Sequence, residues 1–378
     1  MAQVKSIALL LDSAPRAWTS QEEIHLRLCR ALKAKGIQPV LVYAKQLSPE
    51  LENRFASSGA KIEVITYTKG VRHYYGELGR LIRRYEIGMV QVCFFNYFSL
   101  IPWLARLHGI RLIIFEELNS GVVRAVSWKR KLLQLRTFLA AVPFTHVLAI
   151  SKFVKDDLIN RGIGAERISV RYLGVDEQRF RPEAAERERW LSSNAIDADE
   201  LLLSTVAVLR PFKHPDVIVR AVAILKQRGI RFRLLVAGDG VMLPELKELS
   251  KQLDVAENIH WLGYCQDPTS LLQASDVFIL SSVGEAFGLV MAEAMACGAP
   301  VVGSRSGAIP EVVEEGQTGL LATPLDEVSF ANALETLAKD DQLRKTMGQN
   351  SRLRVLERFT VDREVDETMR IYESLWSN

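Results

Sequence analysis

Short apolar runs alternate with longer amphipathic stretches along this whole chain, and that alternation constrains its fold more than any other feature. Residues 7–11, 40–42, 62–65, 89–93, 112–115 and 147–150 are brief, mostly apolar, and bounded by polar or turn residues. Strands that are apolar on both faces are buried between two layers, as in a parallel sheet. Helical spacing fills residues 22–34 and 75–85, the first closing near Gly36, a suitable C-terminal glycine. A second series follows Arg181 and Pro182. Its strands are expected at 201–208, 233–237, 259–262, 277–280 and 300–303, and its helices at 215–228, 244–253, 289–297 and 329–339. Repeated strand–helix alternation predicts two α/β domains with parallel sheets, and 378 residues give room for both. The expected division is residues 1–175, completed by a closing helix at 361–378, and residues 176–360, with a linker at 174–182. In such folds ligands bind at the carboxyl ends of the strands, so two domains facing across a cleft place their chemistry in the loops after the strands.

Charge and cysteine usage narrow the function classes. A formal net charge of +3 is too slight for a dedicated nucleic-acid surface. Basic residues cluster locally at Arg80, Arg83 and Arg84. They cluster again at Lys129, Arg130, Lys131 and Arg136, interleaved with Trp128, Leu132, Leu133 and Leu135. The second cluster reads either as a solvated helix face over a core stripe or as a surface lying on an anionic membrane. Cys29, Cys93, Cys265 and Cys297 are far apart and form no CxxC pair, which argues against a zinc site or disulfide framework. The apolar residues 4–11 are too few to span a bilayer and read as the first strand. Residues 132–150, interrupted by Arg136, Pro143 and His146, read as a helix followed by a strand. A cytoplasmic location is expected, with peripheral contact at the inner membrane surface as the second reading.

The most informative segment runs from Ser281 to Pro300, after the strand at 277–280. A helix opens near Leu289, and Gly288 just before it allows close backbone approach to a ligand. Free amides of Gly288, Leu289 and Val290, with the helix dipole, suit a diphosphate. Glu285 precedes that helix start and Glu293 lies inside the helix. A carboxylate accepts two hydrogen bonds and so pairs with vicinal sugar hydroxyls, which a nucleotide sugar carries on both sides of its diphosphate. Two carboxylates near a diphosphate call for cations, and Arg210 and Lys213 follow the strand ending near Val208.

Glu285 and Glu293 form an E-x7-E pattern framed by Ala286-Phe287-Gly288-Leu289-Val290 and by Gly298-Ala299-Pro300-Val301-Val302. This segment resembles the retaining glycosyltransferases of family 4, which have the GT-B fold of two Rossmann-like domains. Ala237-Gly238-Asp239-Gly240, Trp261-Leu262-Gly263-Tyr264, Gly307-Ala308-Ile309-Pro310-Glu311 and Thr318-Gly319-Leu320-Leu321 are similar to other family segments. The match runs from about residue 201 to 321, and residues 359–372 resemble the family's closing helix. The resemblance implies that Glu285 contacts the donor sugar near the reaction centre and that Glu293 holds the ribose hydroxyls. It implies that Arg210 and Lys213 neutralise the leaving diphosphate. Phe287, Gly288, Leu289 and Val290 would meet phosphate and sugar through the backbone, and Gly263 and Tyr264 would meet the base. It implies a nucleotide-sugar substrate (a UDP-sugar favoured, a GDP-sugar as the other choice), a saccharide or lipid-linked acceptor, and cell-surface polysaccharide or glycolipid assembly. No cofactor and no bound metal are expected.

Departures from the family pattern lie in the first half. Thr19-Ser20-Gln21-Glu22 stands where the family has Gly-Gly-x-Glu, so Ser20 becomes a candidate donor of hydrogen bonds. Glu117 stands where many members carry a histidine. The usual Gly-Arg before the lysine is absent, with Val208 in its place and Arg210 as the substitute cation. These changes motivate an alternative, a non-catalytic relative that binds a nucleotide sugar or a partner protein. A nicotinamide-dependent oxidoreductase is the least favoured reading, because residues 11–15 supply no Gly-x-Gly-x-x-Gly after the first strand. Among lesser residues, His25 reads as a surface side chain, Ser151 as a helix cap, and Asp156 and Asp157 as first-turn acids.

Overall fold

The computed structural model describes residues 4–12, 15, 18–66, 70–94, 98–119, 136–194 and 196–377. Its contacts divide the chain into two units, Met1–Gly174 with Val361–Asn378, and Val175–Thr360.

The first unit is built on seven parallel strands: β1 (Ser6–Leu11), β2 (Gln38–Tyr43), β3 (Lys61–Val64), β4 (Ile87–Cys93), β5 (Leu112–Glu117), β6 (His146–Ala149) and β7 (Ile168–Val170), in the order β3-β2-β1-β4-β5-β6-β7. The order runs outward from β1 in both directions, so the chain reverses between β1 and β4. Residues 7–11 are fully buried, as their lack of polar alternation requires. Strand β7 escapes sequence reading because three residues show no period.

Helix Ser20–Ala34 corrects one expectation. Its buried face holds Ile24, Leu28, Cys29 and Leu32, and His25 sits within that stripe, buried rather than at the surface. Burial pushes the imidazole pKa below its ordinary value. Helix Lys152–Asn160 corrects another. Ser151 caps it, accepting from the Val154 amide at 3.1 Å as expected, but this start puts Asp156 and Asp157 beyond the first turn. Asp157 instead pairs with Arg161 one turn on. The cluster Lys129, Arg130 and Lys131, with Trp128 and the leucines, lies outside the described residues. Of that group only Arg136 is described, and it stacks over the Phe98 ring at 4.9 Å. Among the described residues no helix is long and apolar enough to cross a membrane.

The second unit has six parallel strands: β8 (Leu201–Val206), β9 (Phe232–Ala237), β10 (Ile259–Gly263), β11 (Val277–Leu280), β12 (Val301–Ser304) and β13 (Gly319–Ala322). Their order is β10-β9-β8-β11-β12-β13. Strand β13 coincides with the segment Thr318 to Leu321 quoted above. Its Gly319 is obligatory, since a Cβ there would sit 2.1 Å from the Val301 carbonyl. Helix Asp341–Arg358, at eighteen residues, has no apolar stripe in sequence. Its buried positions are Met347, Gly348, Ser351 and Val355, so two of its four inner positions are small residues that present no apolar signal. A Cβ on Gly348 would lie 2.3 Å from the Gly298 carbonyl, so the helix meets the end of helix Leu289–Ala296 backbone to backbone.

The tail helix Val361–Ser377 belongs to the first unit. Val361, Val365, Met369 and Tyr372 fill the apolar core beside β1, β2 and helix Ser20–Ala34. At the centre of this union is Arg171, 2% exposed, whose guanidinium pairs with Glu116 at β5 and with Glu364 on the tail helix. The Glu364 carboxylate also accepts from the Gly174 amide at 2.5 Å, and Gln91 donates to Glu116 at 3.0 Å while accepting from the Tyr372 hydroxyl. Burial alone would lower the arginine pKa, but the two carboxylates outweigh it and raise it. Removing Arg171 leaves both carboxylates buried without their ion-pair partner. Arg171→Met is therefore expected to cost about 3–5 kcal/mol, read by urea denaturation. A loss below about 1 kcal/mol would mean that the triad does not hold the tail helix.

Candidate functional site

The carboxyl ends of β8, β9 and β10 are tied to one another through backbone groups. The Gly238 amide donates to the Gly263 carbonyl at 2.7 Å, the Ala207 amide to Ala237 at 3.1 Å, and the Leu209 amide to Asp239 at 2.9 Å. Gly238 and Gly240 make this closeness feasible, since a Cβ on them would lie 1.8 Å from the Ala207 carbonyl and 2.3 Å from that of Leu209. Arg210 therefore leaves a fixed loop, and its side chain is exposed beside Phe212, also exposed. Tyr264, 75% exposed, follows Gly263 at the same edge.

Lys213 closes a 3-10 turn, Pro211–Lys213, and His214 in the left-handed region (φ 48°) reverses the chain into helix Pro215–Gln227. The structure joins two of the residues expected at the site. The Lys213 ammonium lies 2.6 Å from the Glu285 carboxylate, both largely shielded from solvent. Four hydrogen bonds hold the loops that carry the pair. The Ser281 hydroxyl lies 2.9 and 2.8 Å from the carbonyls of Lys213 and His214, binding the two loops. The Ala308 amide donates to the Glu285 carbonyl at 2.8 Å, and the Gly284 amide to the Ser306 hydroxyl at 3.1 Å. Gly307 has φ 60°, and a Cβ on it would fall 2.4 Å from the Glu285 carbonyl oxygen and 2.5 Å from its nitrogen. Ser306 gives no signal in sequence beyond its place after a strand, whereas Ser281 and Gly307 stood in segments already singled out.

Gly288, at φ 86°, turns the chain into helix Leu289–Ala296. The amides of Met291 and Ala292 bond back to its carbonyl at 2.9 and 3.2 Å, so those of Leu289 and Val290 precede the helical ladder. Leu289 and Val290 are half-buried at this end, with Glu285 just before it. Phe287 is turned into the core, edge-on to Phe359 with ring centroids 5.7 Å apart, so only its backbone is available to a ligand. Glu293 lies one turn inside and is buried. It helps to raise the pKa of Cys297, which burial chiefly pushes up to about 12, so that thiol is inert near neutral pH. Among the described residues no group of three or more His, Cys, Asp or Glu side chains is arranged to hold a metal ion.

Ser20 and Glu117 belong to the first unit. Thr19 caps helix Ser20–Ala34, its hydroxyl accepting from the Gln21 amide at 3.2 Å while Glu22 accepts from the Thr19 amide at 3.0 Å. Ser20 is buried at the first helical position, so Thr19 and Ser20 build a helix start in place of a glycine pair. Glu117 ends β5 and is buried, accepting from the Asn119 amide at 3.1 Å with Arg161 at 3.8 Å. Burial pushes its pKa up to about 7, against the opposing pull of Arg161.

Residues 22–179 match the model described as Glycosyltransferase Family 4, and residues 186–354 match that of Glycosyl transferases group 1. The chain is 35% identical over 177 residues to N-acetyl-alpha-D-glucosaminyl L-malate synthase of Bacillus anthracis, covering 47% of this chain and 46% of that one. It is 33% identical over 238 residues to D-inositol 3-phosphate glycosyltransferase of Saccharomonospora viridis, covering 60% and 54%. It thus spans about half the length of the curated relatives it matches. In three dimensions it is similar to Anabaena HepE in complex with UDP and glucose, with TM-score 0.81, 20% identity and 100% of both chains covered. At that identity the likeness is one of fold.

Two expectations follow from the geometry. Gly307→Ala forces a side chain into the Glu285 backbone at a left-handed φ, and is expected to cost about 1–3 kcal/mol in urea denaturation. A cost near zero would mean that the Glu285 loop yields freely. Glu117 has a folded pKa of about 7 against an ordinary 4.5. The protonated carboxyl is favoured by folding, so its contribution is fully present below about pH 4.5 and lost as pH rises through about 7. Melting temperature measured from pH 4.5 to 8 should fall less steeply in Glu117→Gln than in the unaltered protein, and identical slopes would remove Glu117 as the titrating group.

Proposed function

The chain belongs to the family 4 type of GT-B glycosyltransferases, and from that premise we propose that it moves a sugar from a nucleotide-sugar donor to a hydroxyl acceptor with retention of configuration. One observation carries the reading: a shielded lysine–carboxylate pair, Lys213 with Glu285, stands just before a helix start whose first amides are unladdered, with a second carboxylate, Glu293, one turn inside. A diphosphate at the helix start would meet amide donors and the positive end of the dipole. Glu285 would hold the donor sugar's hydroxyls and Glu293 those of the ribose. Gly263 and Tyr264 would line the base, and Phe287 through Val290 would contact phosphate and sugar by their backbone.

In the transfer the acceptor oxygen bonds to the anomeric carbon as the bond from that carbon to the phosphate oxygen breaks. The hydroxyl proton passes to the departing phosphate. Negative charge grows on the diphosphate, and Lys213 with Arg210 would neutralise it, which is where a fixed cation contributes most. Lys213 released from Glu285 by the donor's own hydroxyls would become available to that charge.

A UDP-sugar is the favoured donor, supported by the UDP and glucose in the Anabaena HepE complex. The acceptor is assigned to the first unit as a saccharide or lipid-linked molecule, in cell-surface polysaccharide or glycolipid assembly. The names of the two relatives favour a second reading, a small hydroxyl acceptor such as malate or an inositol phosphate. Thermal-shift measurement with UDP, GDP, ADP and their sugar conjugates tests the donor half. Stabilisation by one nucleotide is expected, lost in Glu293→Ala and kept in Glu285→Gln. Hydrolysis or transfer of the stabilising sugar conjugate should fall by about 10²-fold or more in Lys213→Ala. Nucleotide binding with no turnover on any acceptor would favour a non-catalytic relative, and no stabilisation by any nucleotide would overturn the reading.

A further inference from the structure

One buried carboxylate gathers the segment by which the chain leaves the first unit and the helix by which it returns. The opening segment of that unit ends at Gly174, and the unit resumes at Val361. Glu364, one turn into the tail helix, accepts from the Gly174 amide at 2.5 Å and pairs with Arg171. Through Arg171 and Glu116 the outgoing segment and the tail helix are fastened to β5.

The charges at this junction do not balance. Glu116, Arg171 and Glu364 are each at most 4% exposed, two acids to one base. The groups beside them are neutral or acidic. From β4 come Gln91, which carries no charge, and Cys93, whose thiol burial pushes up. From helix Ser20–Ala34 come His25, whose imidazole burial pushes down, Glu22 coupled to it, and Cys29, whose thiol burial pushes up to about 12. The tail helix itself adds Tyr372, its hydroxyl pushed up by burial, and the half-buried Glu367, whose charge opposes that of Glu364. Two ionised carboxylates would therefore seal one uncompensated negative charge away from water, and a buried acid avoids that cost by keeping its proton. Burial works to raise the Glu116 pKa, but Arg171 and the Cys93 thiol outweigh it and lower it. Burial raises that of Glu364 to about 7, so the proton rests there.

We propose that Glu364 is a proton-operated clasp: protonated, it holds Gly174 and the tail helix to the sheet of the first unit, and ionised, it loosens both. Undocking exposes the carboxylate to water, where its charge is solvated, so ionisation favours the undocked helix. With a pKa of about 7 when docked against an ordinary 4.5, the contribution is complete below about pH 4.5 and is lost as pH rises through about 7. The clasp lies wholly in the first unit and is independent of the donor chemistry proposed for the second.

Hydrogen exchange of the full chain from pH 5.5 to 8 tests it, with protection of the amides in helix Val361–Ser377 corrected for the intrinsic rate at each pH. Protection is expected to fall about ten-fold or more across that range in the unaltered protein. Glu364→Gln keeps an oxygen for the Gly174 amide but cannot ionise, and should flatten the dependence. Glu116→Gln leaves one acid to one base, and should flatten it as well. Should one variant fail to fold, the other reads the same charge balance. Protection that does not fall in the unaltered protein overturns the proposal. A fall of the same size in Glu364→Gln also overturns it and assigns the titration to another group, such as Glu117. An unchanged fall in Glu116→Gln overturns it too, since the excess acid would then not be what retains the proton.

Discussion

A guanidinium taken wholly out of water is tolerable only if other buried groups complete it, and Arg171 meets that demand by joining three parts of the first unit. Glu116 comes from β5, Glu364 from the tail helix and Arg171 from the residue after β7. Desolvation makes each ion costly alone, so the arrangement is stable only when all three segments are in place. The last seventeen helical residues are thereby fixed to a sheet whose strands end by residue 170. Apolar packing of Val361, Val365 and Met369 supplies area but little selectivity of register, whereas the ion pairs accept one register only. Burial raises the Glu364 pKa to about 7 against the opposing pull of Arg171.

The second unit solves a different problem, holding a carboxylate near the surface without letting it wander. Here the constraint is backbone contact at glycines. Gly238 and Gly240 interlock the loops after β8 and β9, and Gly307 backs the Glu285 peptide. The charged pair Lys213–Glu285 rests on this frame instead of creating it. The glycines hold the loop by close backbone contact, and the charged side chains are set upon it.

How far the sequence was legible follows from the same distinction. Long buried strands and amphipathic helices declare themselves by period, and the runs at 7–11, 89–93 and 277–280 lie in β1, β4 and β11. The E-x7-E segment was readable because it combines a turn glycine, a helix start and two acids at fixed spacing. The three-residue β7 and helix Asp341–Arg358 were not, since one is too short for a period and the other buries Gly348 and Ser351 beside only Met347 and Val355. The place of His25 was missed because its polarity outweighed its position in an apolar stripe. The Arg171 triad spans residues 116 to 364 and leaves no local mark. Roles at Ser20 and Glu117 could be located but not read, as both are absorbed into helix capping and strand-end hydrogen bonds within the first unit.

The meeting of Gly348 with Gly298 has a mechanical meaning. Helix Leu289–Ala296 is barely two turns long, so it moves as a stiff rod, and its far end is seated directly on the backbone of helix Asp341–Arg358. A side chain on Gly348 would press on the Gly298 carbonyl, at the end of the rod whose other end presents the Leu289 and Val290 amides. The far end of this rod can sit where it does because one methyl group, at Gly348, is absent.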